Sequence, residues 1–247
     1  MDWAWFFDID GTLVEIASAP SRIIVHDELS PTIVQLHVLT GGAVSLITGR
    51  AISDVDRFFY LPGIPVAGQH GLELRGADGE TTSHPVREET LRRVRDALTD
   101  AVARHPGLVA EFKGMSIALH YRMVPGLAGY AHRLVRALRA EYAQDFVIQK
   151  GKRVVELKHA GADKGELIRR LMTTKPFKGR TPVFIGDDLT DEAGFGMVNE
   201  MSGYSIKVGP GRTSARFRLR TVTQVRQWLS AGMSEATVVQ PLRSEAR

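Results

Sequence analysis

The stretch WAWFFDIDGTL, residues 3–13, decides the fold. Five apolar residues run without polar alternation straight into Asp8 and Asp10. A strand with one wet face alternates polar and apolar side chains, so unbroken bulk belongs to a strand covered on both faces, as in a parallel sheet. Asp8 and Asp10 are two positions apart and therefore project to the same side of an extended chain, with α-carbons about 7 Å apart. Gly11 permits a sharp turn, and Thr12 is placed to brace the loop through its hydroxyl.

The same design recurs twice. AVSLI (43–47) ends at Thr48, and PVFI (182–185) ends at Gly186 and Asp187. Open α/β sheets bind ligands where their strands end, and these three ends carry the polar groups. Helical patterns alternate with the strands: Leu29–Leu39 precedes the second, and ADKGELIRRLM (162–172) precedes the third. Asp163 at the N-cap and Glu166 three residues later form a capping-box pattern. The expected architecture is α/β, a doubly wound Rossmann-like core on a parallel sheet.

Between His84 and Leu157 the rhythm changes. A helix pattern, REETLRRVRDALTDAVARH, leads into two strand patterns, LVAEFKG and MSIALHYR, joined at Gly114. A second helix, LAGYAHRLVRALRAEYA, leads into DFVIQ and KRVVEL, a hairpin expected to turn at Lys150–Gly151. This αββαββ order describes an inserted α+β unit. The expected divisions are 1–78 for the first part of the core, 79–158 for the insert and 159–247 for the rest, with a tail past about residue 232 whose composition promises little packing.

Composition narrows the chemistry. Hydrophobic residues make up 43% of the 247 and charged residues 24%, ordinary values for a globular protein. The absence of cysteine excludes disulfides, thiolate metal sites and cysteine nucleophiles, so any metal must sit on oxygen or imidazole. Met-Asp-Trp at the N-terminus lacks a signal-peptide pattern, and a cytoplasmic location is expected. The uncharged run from Leu29 to Gly49 is broken by Pro31 and by Gly41–Gly42, so no membrane span is expected. Net charge is +4, with arginines scattered and densest in RTSARFRLR (212–220). That pattern suits a small anionic substrate better than nucleic acid, and a monomer is expected.

A second acidic cluster, GDDLTDE (186–192), follows the third strand. Two acidic loops at strand ends, each after apolar bulk, point to a shared hard cation. Magnesium fits, because it takes oxygen ligands and shares them with phosphate. A phosphate beside carboxylates needs such compensation: like unit charges at about 4 Å repel by about 4 kcal/mol at an effective dielectric of about 20. Lys164, in the first turn of its helix, is the lysine best placed to add to it. Thr48 offers a hydroxyl to phosphoryl oxygens.

DIDGT, TGR, DKG and GDDLTDE, in that order, resemble the four motifs of the haloacid dehalogenase superfamily of phosphotransferases. Further segments, GQHGLELR, EFKGMSIALHYR and GKRVVELK, are similar to those of the trehalose-6-phosphate phosphatases within it. The resemblance covers roughly residues 5–200. It implies that Asp8 is the nucleophile toward phosphorus, giving an aspartyl-phosphate, and that Asp10 is the acid and base for leaving group and water. Mg2+ would be held by Asp8, the main-chain carbonyl of Asp10 and Asp187, with Asp188 and Asp191 either against the ion or one layer behind it. Thr48 and Lys164 would hold the phosphoryl group.

The resemblance further makes the insert a lid. Its sugar contacts would be Glu111, Lys113, Arg122, Lys152 and Glu156, with His70 and Gly71 at the hinge, while Arg50 and Arg75 are read as structural. Strand alternation independently puts Glu111 with Lys113, His120 with Arg122, and Lys152 with Glu156 on common sides. Here DEAGF follows the acidic motif one residue short of the usual pattern, which bears most on Asp191. The expected activity is magnesium-dependent hydrolysis of trehalose 6-phosphate. The alternatives are a phosphatase for another sugar phosphate, such as sucrose 6-phosphate or glucosylglycerate phosphate, and a phosphomutase. A basic nucleic-acid-binding or regulatory protein on a retired enzyme core is the reading from a different class.

Overall fold

The computed structural model describes residues 2–17, 22–83, 88–113, 116–142, 146–151, 153–159 and 163–234. Its first elements are β1 (Trp3–Phe7), α1 (Leu29–Leu39), β2 (Val44–Ile47), α2 (Ile52–Phe58), β3 (Val66–Gly68), β4 (Glu73–Arg75) and β5 (Thr81–Ser83). Then come α3 (Glu88–Arg104), β6 (Val109–Lys113), β7 (Ser116–His120), α4 (Ala128–Glu141), β8 (Phe146–Gly151) and β9 (Val154–His159). The chain closes with α5 (Lys164–Leu171), β10 (Thr181–Gly186), α6 (Glu192–Glu200), β11 (Tyr204–Val208), β12 (Phe217–Leu219) and α7 (Val222–Ser234).

Two units result, one of Met1–Thr82 with Asp163–Arg247 and one of Ser83–Ala162. Both divisions fall four residues beyond those expected from sequence. On the way out, β4 and β5 extend the first unit's sheet. On the way back, Asp163 already belongs to α5 as its N-cap, its carboxylate accepting the Glu166 N–H at 2.9 Å. The Glu166 carboxylate pairs with Arg169 instead of completing the capping box.

The first unit's sheet runs β12-β11-β10-β1-β2-β3-β4-β5. Pairing is parallel from β12 to β3 and turns antiparallel at β4. Side-chain alternation sends Trp5 and Phe7 of β1 to one face, among residues of α1, α2 and α7. Ala4 and Phe6 go to the other, among residues of α5 and α6. Both faces of β1 are therefore sealed, as its unbroken apolar run requires. Each buried phenylalanine contributes about 1.5–3 kcal/mol, which fixes the strand whose end carries Asp8.

The second unit has the expected αββαββ order, with sheet order β6-β7-β9-β8, all antiparallel. Ile117, Leu119, Val155, Leu157 and Phe146 pack with Val94 and Leu98 of α3 and Ala131, Val135 and Leu138 of α4. The register puts Glu111, Ala118, Glu156 and Gln149 in one row across the opposite face. The hairpin between β8 and β9 differs from expectation. Pairing continues to Gly151↔Val154, past the expected turn, and Arg153 takes the left-handed conformation (φ 62) that short hairpin loops demand.

Among the described residues no helix is long and apolar enough to cross a membrane. In the basic segment near the end, Arg218 donates to the carbonyls of Gly209 and Gly211, and Arg216 to that of Asn199. Those guanidinium groups are spent on the chain itself.

Candidate active site

The three strand ends meet. Leaving β1, the chain reaches Asp8, whose N–H is still held by the Ile185 carbonyl of β10 at 2.9 Å. Gly11 then turns the chain with φ +77, and a β-carbon placed there would overlap the Asp187 carboxylate. The two acidic loops are therefore in direct contact, and Gly11 is what lets them be. The expected brace is absent: the Thr12 hydroxyl is buried and has no hydrogen-bond partner among the described residues. Main-chain bonds from Thr12, Leu13 and Val14 to the Ile9 carbonyl hold the loop instead.

Lys164, only 2% exposed, reaches into this junction from the start of α5. Its ammonium donates to Asp8 Oδ1 at 2.7 Å and to Asp191 Oδ1 at 2.6 Å. Gly165 permits the approach, since a β-carbon there would overlap the Ala193 carbonyl at the start of α6. Asp191 is wholly buried, and its Oδ2 accepts the N–H groups of Asp187 and Asp188, both at 2.9 Å. The shortened motif has thus not displaced Asp191, which ties the acidic loop to Lys164. Asp188 is used differently: its side chain accepts the Asp191 N–H and caps the short turn at Leu189–Asp191.

Asp8, Asp187 and Asp191 each offer an oxygen within 4.8 Å of the others. Burial raises the Asp8 carboxyl well above its ordinary value; Lys164 opposes this, and Asp191 and Asp187 reinforce it. Asp187 is pushed up to about 7 by burial, then by Asp191 and Asp188, against the pull of Lys207 and Lys164. Burial works against the charge on Lys164, but Asp8 and Asp191 outweigh it and hold the ammonium protonated. The cluster is short of positive charge. Its donor set, carboxylate oxygens with no nitrogen or sulfur, fits a hard divalent cation such as magnesium.

The remaining core residues gather around the end of β2. Thr48 is buried, with its hydroxyl accepting the Arg50 N–H at 3.1 Å and its carbonyl accepting the His70 N–H at 2.8 Å. The His70 ring lies against Gly49, where an added β-carbon would come within 2.8 Å of Nε2. Gly71 (φ +103) lies against Leu167 of α5. Arg50 grips Asp10 with two prongs, Nε to Oδ2 at 2.7 Å and Nη2 to Oδ1 at 2.6 Å. Arg75 pairs with Asp56.

Two cations at the site go beyond what the sequence singles out for its chemistry. Arg50, expected to be structural, holds Asp10, and a cation two residues past a strand-end threonine is the sequence signal for it. Lys207 is 5% exposed, faces Gly186 in the β10–β11 register, and acts electrostatically on Asp187. Its signal was a lysine inside the otherwise apolar end of YSIKV.

In the second unit, Glu111 accepts from or pairs with His120 Nε2 at 2.9 Å, and Glu156 shares their sheet face. Arg122 is exposed beyond the end of β7. Lys152 and the side chain of Lys113 lie outside the described residues.

Comparison with known proteins gives a consistent result. A family model described as trehalose-phosphatase matches residues 6–223. The chain is 41% identical over 227 residues to the trehalose-6-phosphate phosphatase of Escherichia coli, covering 92% of this chain and 85% of that protein. It is 38% identical to a probable trehalose-phosphate phosphatase of Sinorhizobium fredii, covering 85% and 78%. Among solved structures, the C-terminal domain of the Candida albicans trehalose-6-phosphate phosphatase superposes with TM-score 0.77 at 22% identity, covering 94% and 92%. A trehalose-6-phosphate phosphatase related protein superposes with TM-score 0.73 at 25% identity, covering 94% and 97%.

Proposed function

The chain belongs to the trehalose-phosphatase family, and from that membership we propose that it hydrolyses trehalose 6-phosphate to trehalose and phosphate with magnesium, through a phosphorylated Asp8. The observation that carries the reading is the buried Lys164 bridging Asp8 and Asp191 beside Asp187.

Lys164 occupies Asp8 Oδ1 and leaves Oδ2 to form the bond to phosphorus as the bond to the sugar oxygen breaks. Asp10 gives that departing oxygen a proton, and then takes one from the water that cleaves the aspartyl-phosphate. The Thr48 hydroxyl accepts from a main-chain N–H, so its own proton is free to donate to a phosphoryl oxygen. Lys164 supplies a fixed positive charge to the same group, already desolvated and in place. Asp8 and Asp187, with the Asp10 carbonyl, would hold magnesium, and Asp191 braces the loop that carries Asp187. Bound there, the ion supplies charge neutralisation and orientation for the phosphoryl oxygens.

The insert is proposed to select the sugar, through Glu111, Lys113, Arg122, Lys152 and Glu156. A sheet face bearing acids, a histidine and an amide suits a ring of hydroxyls, which both donate and accept. The test is release of free phosphate from trehalose 6-phosphate. It should require added magnesium and vanish in Asp8→Asn. Faster turnover of sucrose 6-phosphate would overturn the substrate assignment, and phosphate returned to sugar instead of released would indicate a mutase.

A further inference from the structure

Resting on the reading of Asp10 as proton donor and acceptor, we infer that Arg50 is a positioning residue that parks the Asp10 carboxylate, and that Asp10 exchanges Arg50 for the leaving oxygen in each cycle. Both Asp10 oxygens are taken by the guanidinium, at 2.7 and 2.6 Å, in the two-pronged geometry that makes such pairs strong. An oxygen so engaged is not aimed at a substrate. Arg50 cannot relay the proton itself, because a guanidinium does not deprotonate in proteins.

The pair is unequal in burial. The Arg50 side chain is 8% exposed, whereas that of Asp10 is 37% exposed. The Arg50 main chain is pinned on both sides, its N–H to the Thr48 hydroxyl and its carbonyl to the Gln69 N–H at 2.8 Å. The guanidinium carbon also lies 5.8 Å from the centre of the Phe58 ring. The member that moves is Asp10, on its open side, and Arg50 is the fixed post to which it returns. Arg50 therefore governs the steps that need a positioned proton carrier and leaves the attack of Asp8 on phosphorus largely alone.

Leaving-group chemistry separates these steps. A sugar alkoxide must be protonated as it departs; p-nitrophenolate need not be. With p-nitrophenyl phosphate, rapid mixing of R50M should give a burst of p-nitrophenolate at a first-turnover rate within about threefold of the unsubstituted enzyme. A steady state slowed by about tenfold or more should follow, because water attack has lost its positioned base. With trehalose 6-phosphate, kcat should fall by about tenfold or more while KM changes by less than about threefold. R50K keeps the charge but not the fork and should fall between the two; it carries the test if R50M does not fold.

Equal loss of the first turnover with both substrates, or no loss with either, overturns the proposal. D10N separates the two layers. If it shows the leaving-group selectivity and R50M and R50K do not, Arg50 loses its role alone. If D10N lacks it, the reading of Asp10 fails and takes this one with it.

Discussion

Lys164 and Asp8, 156 positions apart in the chain, meet as a buried ion pair 2.7 Å long. The same ammonium holds Asp191 at 2.6 Å, so one cation serves two carboxylates that water barely reaches. Removing it strands both. K164M should lose about 3–5 kcal/mol of stability, the cost of breaking a buried pair from one side, together with phosphatase activity. Urea titration measures the first. An unfolding midpoint equal to that of the unsubstituted protein would show that the pair carries no such weight.

The Asp187 carboxyl, pushed up to about 7, makes stability depend on pH in a definite sense. Between its ordinary value of 3.8 and about 7, the folded chain keeps a proton that the unfolded chain has lost. This group's contribution is thus present at the acid end and fades as pH rises through that window. A divalent ion would relieve the repulsion that the lost proton exposes. Magnesium should accordingly raise the melting temperature more at about pH 8 than at about pH 5. A larger effect at the acid end contradicts this account.

Gly11 is the hinge of the junction. G11A meets two penalties, a left-handed φ of +77 and an overlap with the Asp187 carboxylate. The first costs about 1–2 kcal/mol in stability. The second displaces a proposed metal ligand and should lower kcat on the order of 100-fold, out of proportion to the stability lost. Thermal melting and turnover on one preparation compare the two; a variant with ordinary turnover would mean that the loop relaxes freely.

Glu111 tests the insert. E111A should raise KM for trehalose 6-phosphate by about tenfold or more, as expected for losing hydrogen bonds from a charged group. Turnover of p-nitrophenyl phosphate, which has no sugar to recognise, should stay level. Equal losses on both substrates would assign Glu111 to something other than recognition of the sugar.

Much of this was legible in the sequence because the signals are local. Burial of WAWFF on both faces, the alternation in EFK and SIALH, and Asp163 ahead of Lys164 all depend on neighbours a few positions away. The grip of Arg50 on Asp10 spans 40 positions and follows no period. The union of Asp191 with Lys164 was partly hidden for the same reason, since a capping turn and a metal loop read alike. Strands of three residues, β3, β4, β5 and β12, are too short to show a pattern, and they owe their form to the strands beside them in the sheet.

The two faces of the insert's sheet have separate obligations. Ile117, Leu119, Val155 and Leu157 hold the unit to its helices, while Glu111, Gln149 and Glu156 on the other side carry none of that packing. If the insert selects the sugar as proposed, the outer row can change, and with it which molecule is accepted, while the unit keeps folding as before. The junction of Asp8, Lys164 and Asp191 has no such latitude. Novelty in this architecture should accumulate on the insert and stall at the strand ends.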